Sequence, residues 1–168
     1  IHGLGAAPPK VTVTLSPAPD GPNLALRKPY ESSDPNRFNW GIGGLTDGSW
    51  EANSQHCFAT GDADKFPKEV TIDPEKVARI GMVRLGVPAF GSTKTIQMAV
   101  SLDGAAFKTV GSHEFVQQQQ ARHTYEFPAV EARYVRLVYP DYHAARVGYT
   151  PQFTFTTEVE VYGPAKGR

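Results

Sequence analysis

Short runs in which apolar and polar residues alternate recur along most of the chain. They are "KEVTI" at 68 to 72, "ARIGMVRLGV" at 78 to 87, "KTIQMAVSL" at 94 to 102, "FKTV" at 107 to 110, "HTYEF" at 123 to 127, "RYVRLVY" at 133 to 139 and "TEVEVYG" at 157 to 163. A period of two puts successive side chains on opposite faces, so each run predicts a strand with one buried face; Gly, Pro, Asp or Ser bounds each of them. Helical spacing never holds beyond about two turns, and "DPEKV" at 73 to 77 is at most a short helical turn. "SLDGAAF" at 101 to 107 predicts a hairpin, because Asp-Gly supplies the positive φ that a tight primed turn requires. Consecutive short strands without intervening helices predict an all-β, antiparallel β-sandwich or barrel.

Length and charge narrow the function classes. A chain of 168 residues suits one domain with a single core. Its 17 basic and 17 acidic residues cancel without any block of like charge, which leaves no electrostatic footprint for nucleic acid. No apolar run approaches the roughly 18 residues of a membrane helix, so membrane insertion is not expected. Residues 1–22 are rich in Pro, Gly and Ala and read as a linker or the tail of a preceding domain, residues 23–163 as the folded domain, and residues 164–168 as a C-terminal tail. Cys57 is alone, which excludes an intrachain disulfide and a cysteine-based zinc site. His56 beside it would point to the opposite face of a strand, which argues against a Cys/His nucleophile.

The segments without strand pattern are 28–66, 88–93 and 140–156. They hold both tryptophans, Trp40 and Trp50, together with Arg37, Phe38, His56, Phe58, Phe90, Tyr142, His143, Arg146, Tyr149 and Phe153. Long loops so rich in aromatic residues point to binding more than to disorder. Aromatic rings stack on the C–H face of a pyranose while Arg, His, Asn and Gln bond its hydroxyls, and these loops hold both kinds of group. Trp40 and Phe58 lie beside apolar runs and read as packing residues, and His113 and His123 as surface groups. "GGLTDGS" at 43 to 49 has glycines, a carboxylate and polar neighbours. That fits a calcium loop, but also an ordinary Asp-Gly turn. Catalysis has little support: Asp62 and Asp64 are the only close pair of loop carboxylates, and no nucleophile or phosphate-loop motif occurs.

Taken in order, "NLALRKPYESS" at 23 to 33, "GGLTDGSWEANSQ" at 43 to 55, "KEVTIDPEKVARIGMVRLGV" at 68 to 87, "MAVSLDGAAFKTV" at 98 to 110, "ARYVRLVY" at 132 to 139 and "TEVEVYG" at 157 to 163 resemble the discoidin, or coagulation-factor C-type, domains. That family shares the galactose-binding-like jelly roll and includes bacterial carbohydrate-binding modules and fucose-binding lectins. The resemblance implies a structural calcium joining Asp47 to Glu158, with carbonyls of Gly44, Ser49 and Thr157 and one from near Ser54. It also implies a ligand site in the loops at one end of the sandwich, where Trp50, His56, Phe90, Tyr149 and Phe153 are the candidates, with Arg146 and His143 as a second polar group.

Two departures matter. The cysteine pair that ties the domain ends in lipid-binding members is missing, and "PDYHAARVGYTPQFTFT" is longer than the usual approach to the last strand. The function expected is a non-catalytic carbohydrate-binding module of a larger secreted or cell-surface protein. Its partners would be a glycan containing galactose, fucose or N-acetylhexosamine and the neighbouring domains of its parent chain. The alternative is a protein-binding or adhesion module that uses the same loops.

Overall fold

The computed structural model describes residues 19, 21–144 and 149–164. Ten strands and no helix occur among them: β1 Tyr30–Ser32, β2 Phe58–Ala59, β3 Lys68–Ile72, β4 Ala78–Val87, β5 Thr95–Ser101, β6 Lys108–Glu114, β7 Ala121–Ala132, β8 Tyr134–Tyr139, β9 Phe155–Thr156 and β10 Val159–Tyr162. They form a five-stranded sheet in the order β1-β3-β8-β5-β6, a three-stranded sheet in the order β10-β4-β7, and the small pair β2-β9. Every strand pairing is antiparallel, as the alternation predicts.

The two larger sheets face each other over one core. Val70, Ile72, Ile96, Met98, Val135 and Leu137 from the first meet Ile80, Val83, Leu85, Val159 and Val161 from the second. On β4 the register shifts between Ile80 and Met82. This bulge lets Ile80 and Val83 both point inward while Met82 turns out to pack on Tyr162. β5 and β6 carry a second irregularity at Met98/Ala99. Next to it only glycine fits at 111, because a Cβ there would lie 2.8 Å from the Tyr125 ring. The Tyr125 hydroxyl donates across the core to the Ile96 carbonyl at 2.7 Å, joining the two sheets.

Residues 73–77 form no helical turn, in keeping with the expectation of one at most. The structure departs from the sequence expectations in two local places. The β5–β6 connection is not a two-residue turn: β5 stops at Ser101 and β6 starts at Lys108. Between them the Asp103 carboxylate accepts the N–H groups of Ala105 (2.9 Å) and Ala106 (3.0 Å), so this Asp serves as a side-chain cap and only Gly104 takes positive φ. Strands β1, β2 and β9 arise inside segments without alternation because two or three residues are too few to show a period. The domain ends are also tied, without cysteines: Leu24 N–H donates to Val161 O at 2.7 Å, and Asn23 Oδ1 accepts Val161 N–H at 3.0 Å.

Candidate functional site

The loops around the β2–β9 pair converge on a cluster of rings. Phe155, buried at the centre, lies 5.7 Å from Trp40, 5.0 Å from Phe90 and 5.3 Å from Tyr149 between ring centroids. Trp40 itself meets Phe90 at 5.9 Å and Tyr149 at 5.2 Å, both edge to face, and Phe38 meets Phe153 at 5.6 Å. Such edge-on contacts suit the ring quadrupole. The cluster floors a pocket of ≈ 380 Å³ lined by Asn36, Phe38, Trp40, Asp62, Tyr149, Thr150, Phe153 and Phe155. Phe38 remains 58% exposed and Tyr149 38%, so the pocket wall offers apolar ring surface to solvent.

Local hydrogen bonds fix this wall. Asn36 Oδ1 accepts the N–H groups of Phe38 (2.8 Å) and Trp40 (3.3 Å), while its Nδ2 donates to Thr60 O at 3.0 Å. Gly41 follows with φ 60° and donates its N–H to Ser54 O at 2.6 Å. A Cβ at Gly41 would overlap the Cys57 carbonyl, so the chain turns there only with glycine.

Beneath the loops lies Lys68, whose side chain is fully buried. Its ammonium donates to Gly61 O at 2.8 Å and Gln152 O at 2.6 Å, and pairs with Asp34 Oδ2 at 2.9 Å. Three donors meet three acceptors, one on each of three loops, which is the condition under which a buried ammonium is tolerated. Lys68 therefore fixes the loops that carry Asn36, Asp62 and Phe153 relative to one another.

A second polar cluster forms on the Asp-Gly loop. Asp47 Oδ1 accepts Ser49 N–H at 2.9 Å, and His56 Nδ1 lies 2.7 Å from Asp47 Oδ2. Glu158 is fully buried; its Oε2 accepts Gly48 N–H at 2.6 Å, while Oε1 has no partner. Burial, reinforced by the neighbouring Asp47 carboxylate, pushes Glu158 up to about 9. Leu45 and Gly48 both take positive φ, and Val159 N–H donates to Leu45 O at 2.8 Å, which holds the loop against the last strand. Gly44 O accepts Thr46 N–H and Thr157 N–H donates to Gly86 O, each at 2.8 Å. No group of three or more His, Cys, Asp or Glu side chains able to hold a metal occurs among the described residues, so a cation here would need backbone oxygens as well.

The structure thus divides the residues singled out from the sequence. Asp47 and Glu158 come together from positions far apart in the chain, beside Gly44, Ser49 and Thr157. Phe90, Tyr149 and Phe153 join the aromatic cluster. His56 bonds Asp47 instead of lining the pocket, and Trp50 lies under the Arg122 guanidinium at 4.0 Å. His143 Nε2 is 3.0 Å from the Phe115 carbonyl; Arg146 lies outside the described residues. Trp40, expected to be a packing residue, both packs and lines the pocket. Phe38, Asn36, Asp62 and Lys68 were missed as site residues. For Lys68 a signal existed: it shares the inward phase of Val70 and Ile72 on β3. Cys57 is buried and its thiol is pushed up to about 12 by burial, which removes it as a thiolate nucleophile.

The chain matches known folds over most of its length. It superposes on CpGH89CBM32-5 from Clostridium perfringens, solved in complex with GalNAc-beta-1,3-galactose, with a TM-score of 0.64 and 17% identity, over 82% of this chain and 96% of that one. Chitosan-binding module 2 of a chitosanase/glucanase from Paenibacillus sp. IK-5, in complex with chitotriose, gives 0.65 and 23% over 84% and 100%. The C-terminal domain of a chitobiase from Bacteroides fragilis gives 0.62 and 22% over 83% and 97%. Identities this low establish the fold alone. No curated protein sequence matches the chain. The family model of the F5/8 type C domain matches residues 30–149, and together with the antiparallel sandwich this shows that the chain belongs to the F5/8 type C, or discoidin, domain family.

Proposed function

We propose that the chain is a non-catalytic carbohydrate-binding module that takes a pyranose into the pocket between Phe38, Trp40 and Tyr149. The observation that carries this reading is the half-exposed aromatic wall. Rings held this firmly lose little entropy on binding, and they offer a flat apolar surface to the C–H face of a sugar while rim groups such as Asp62 accept its hydroxyls. The glycans bound by the Clostridium and Paenibacillus modules support the same reading. Asp62 faces Arg37 at 3.6 Å, an ion pair and not a pair of acids poised for glycoside cleavage. The module would serve a larger secreted or surface protein by holding it on its glycan.

The residues of the Asp-Gly loop fit a structural calcium. A buried carboxylate with one bare oxygen next to a second carboxylate is costly, and a hard dication removes both the desolvation and the repulsion. Asp47 and Glu158 would hold the ion, helped by carbonyls of Gly44, Ser49 and Thr157. It would brace the loop against β10.

Isothermal titration with galactose, fucose and N-acetylglucosamine tests the sugar reading. At least one sugar should bind with a dissociation constant from roughly micromolar to millimolar. Phe38→Ala should weaken it about tenfold or more with little change in melting temperature, because that ring is mostly exposed; Tyr149→Ala should weaken it as much and also lower the melting temperature, because its ring packs on Trp40, Phe90 and Phe155. Silence toward every sugar at tens of millimolar would shift the assignment to a protein-binding or adhesion module, for which the exposed Phe38 and Ile42 would be the contact surface.

A further inference from the structure

The pocket does not end at Trp40. Next to it a second hollow of ≈ 490 Å³ opens, lined by Glu31, Ser32, Ile42 and Phe58 and sharing Trp40 and Asn36 with the first. Each hollow is large enough for a small ligand. The shared residues make them neighbours across one ridge. That ridge is rigid: Asn36 pins the backbone of Trp40, and the turn at Gly41 is locked against Cys57.

The second hollow also has its own chemistry. Its inner wall is β1, an edge strand paired only with β3, so its outer backbone groups are those an edge strand leaves open to other partners. Ile42, one of its lining residues, is 76% exposed and offers apolar surface to solvent. The residues lining this hollow include one carboxylate, Glu31, and no cation, which disfavours an acidic ligand.

We infer that this surface binds a neutral oligosaccharide of at least two units, one ring in the aromatic pocket and the next in the hollow between β1 and Ile42, with the linkage crossing Trp40. The inference rests on the glycan-binding reading above and specifies what that site accepts: an extended chain, not a single sugar. Two adjoining hollows that share a rigid wall let the second unit bind with much of the orientational cost already met by the first.

The test is titration of the wild-type chain, Ile42→Asp and Phe38→Ala with N-acetylglucosamine and its β-1,4-linked dimer and trimer, and in parallel with galactose, GalNAc-beta-1,3-galactose and trigalacturonate. In at least one neutral series the affinity should rise about tenfold or more from one unit to two or three. Ile42→Asp should abolish that gain and leave the single-sugar affinity unchanged, whereas Phe38→Ala should weaken all lengths. Affinity independent of length in a series that binds, a gain that survives Ile42→Asp, or trigalacturonate binding more tightly than the neutral sugars would each overturn the inference while leaving the glycan-binding reading in place. Silence of the wild-type chain toward every sugar would overturn both.

Discussion

A lysine at an inward-facing strand position is tolerated only if every proton of its ammonium is accounted for, and Lys68 meets that condition with two carbonyls and one carboxylate. Removing it leaves Asp34 and two loop carbonyls facing a cavity. Lys68→Ala should therefore destabilise the fold by about 3–5 kcal/mol, read as a lower midpoint in chemical denaturation. Lys68→Arg should not restore it, because the three acceptors converge on one nitrogen and a planar guanidinium spreads its donors apart. A midpoint within about 0.5 kcal/mol of wild type for either variant would show that the staple does not hold the loops. The alternation of β3 already places this lysine inward, so its burial was legible; its acceptors were not, since Asp34, Gly61 and Gln152 meet it only after the loops close. The same limit hid the second role of Trp40: its sequence context gave it as a packing residue, but not that Phe90, Tyr149 and Phe155, distant in the chain, would join it around a pocket.

At the scale of elements the seven longer strands were legible; the short β1, β2 and β9 and the partners across the sandwich were not. β6 and β7 are edges of different sheets. Where they meet, His113 and His123 stack face to face at 3.7 Å and 9°, with Phe115 edge-on to His113 and Tyr125 edge-on to His123, each at 4.7 Å. From the sequence both histidines read as surface groups; the stack half-buries them. Burial, with a smaller contribution from His113, lowers His123 to about 4, and burial lowers His113 as well, opposed by Glu114. A histidine whose folded value lies below its unfolded one, near 6.5, contributes stability that is fully present above about pH 6.5 and lost as pH falls toward 4. Each tenfold difference in proton affinity between the folded and unfolded chain corresponds to about 1.4 kcal/mol, an upper bound here because the rings are only half-buried and solvent screens them. Melting temperature should thus drop between pH 7 and 4.5, and the drop should be smaller in His123→Phe, which keeps the ring stack and cannot take a proton. Parallel curves for the two proteins would remove the histidine stack as the cause.

Across the whole molecule, two joints tie the beginning of the domain to its end. Asn23 clamps β10, and the Asp-Gly loop meets Glu158 just before it. Alternation along β10 puts Val159 and Val161 in the core, and the resemblance to the family implied that Glu158, at the strand start, meets Asp47. It could not show that Glu158 would be fully buried with one oxygen bare, nor that His56 would bond the same Asp47. Both follow from the loop folding back with positive φ at Leu45 and Gly48. The calcium proposed for this joint would stabilise the native state alone. Were the free ion about a hundredfold above its dissociation constant, the gain would be about 2.7 kcal/mol, or roughly 5–10 °C in melting temperature for a domain of this size. Chelation of the purified protein should lower the melting temperature by that amount, and added calcium should restore it. Asp47→Ala should melt at or below the temperature of the chelated protein, since it also loses the bonds to Ser49 and His56, and should ignore both treatments. Elemental analysis of protein prepared without added metal should find about one calcium per chain. If none is found, and chelator leaves the wild-type curve in place, then Glu158 is held in its protonated form by burial and the neighbouring Asp47 carboxylate, and the loop is braced by Gly48 N–H and His56 without an ion.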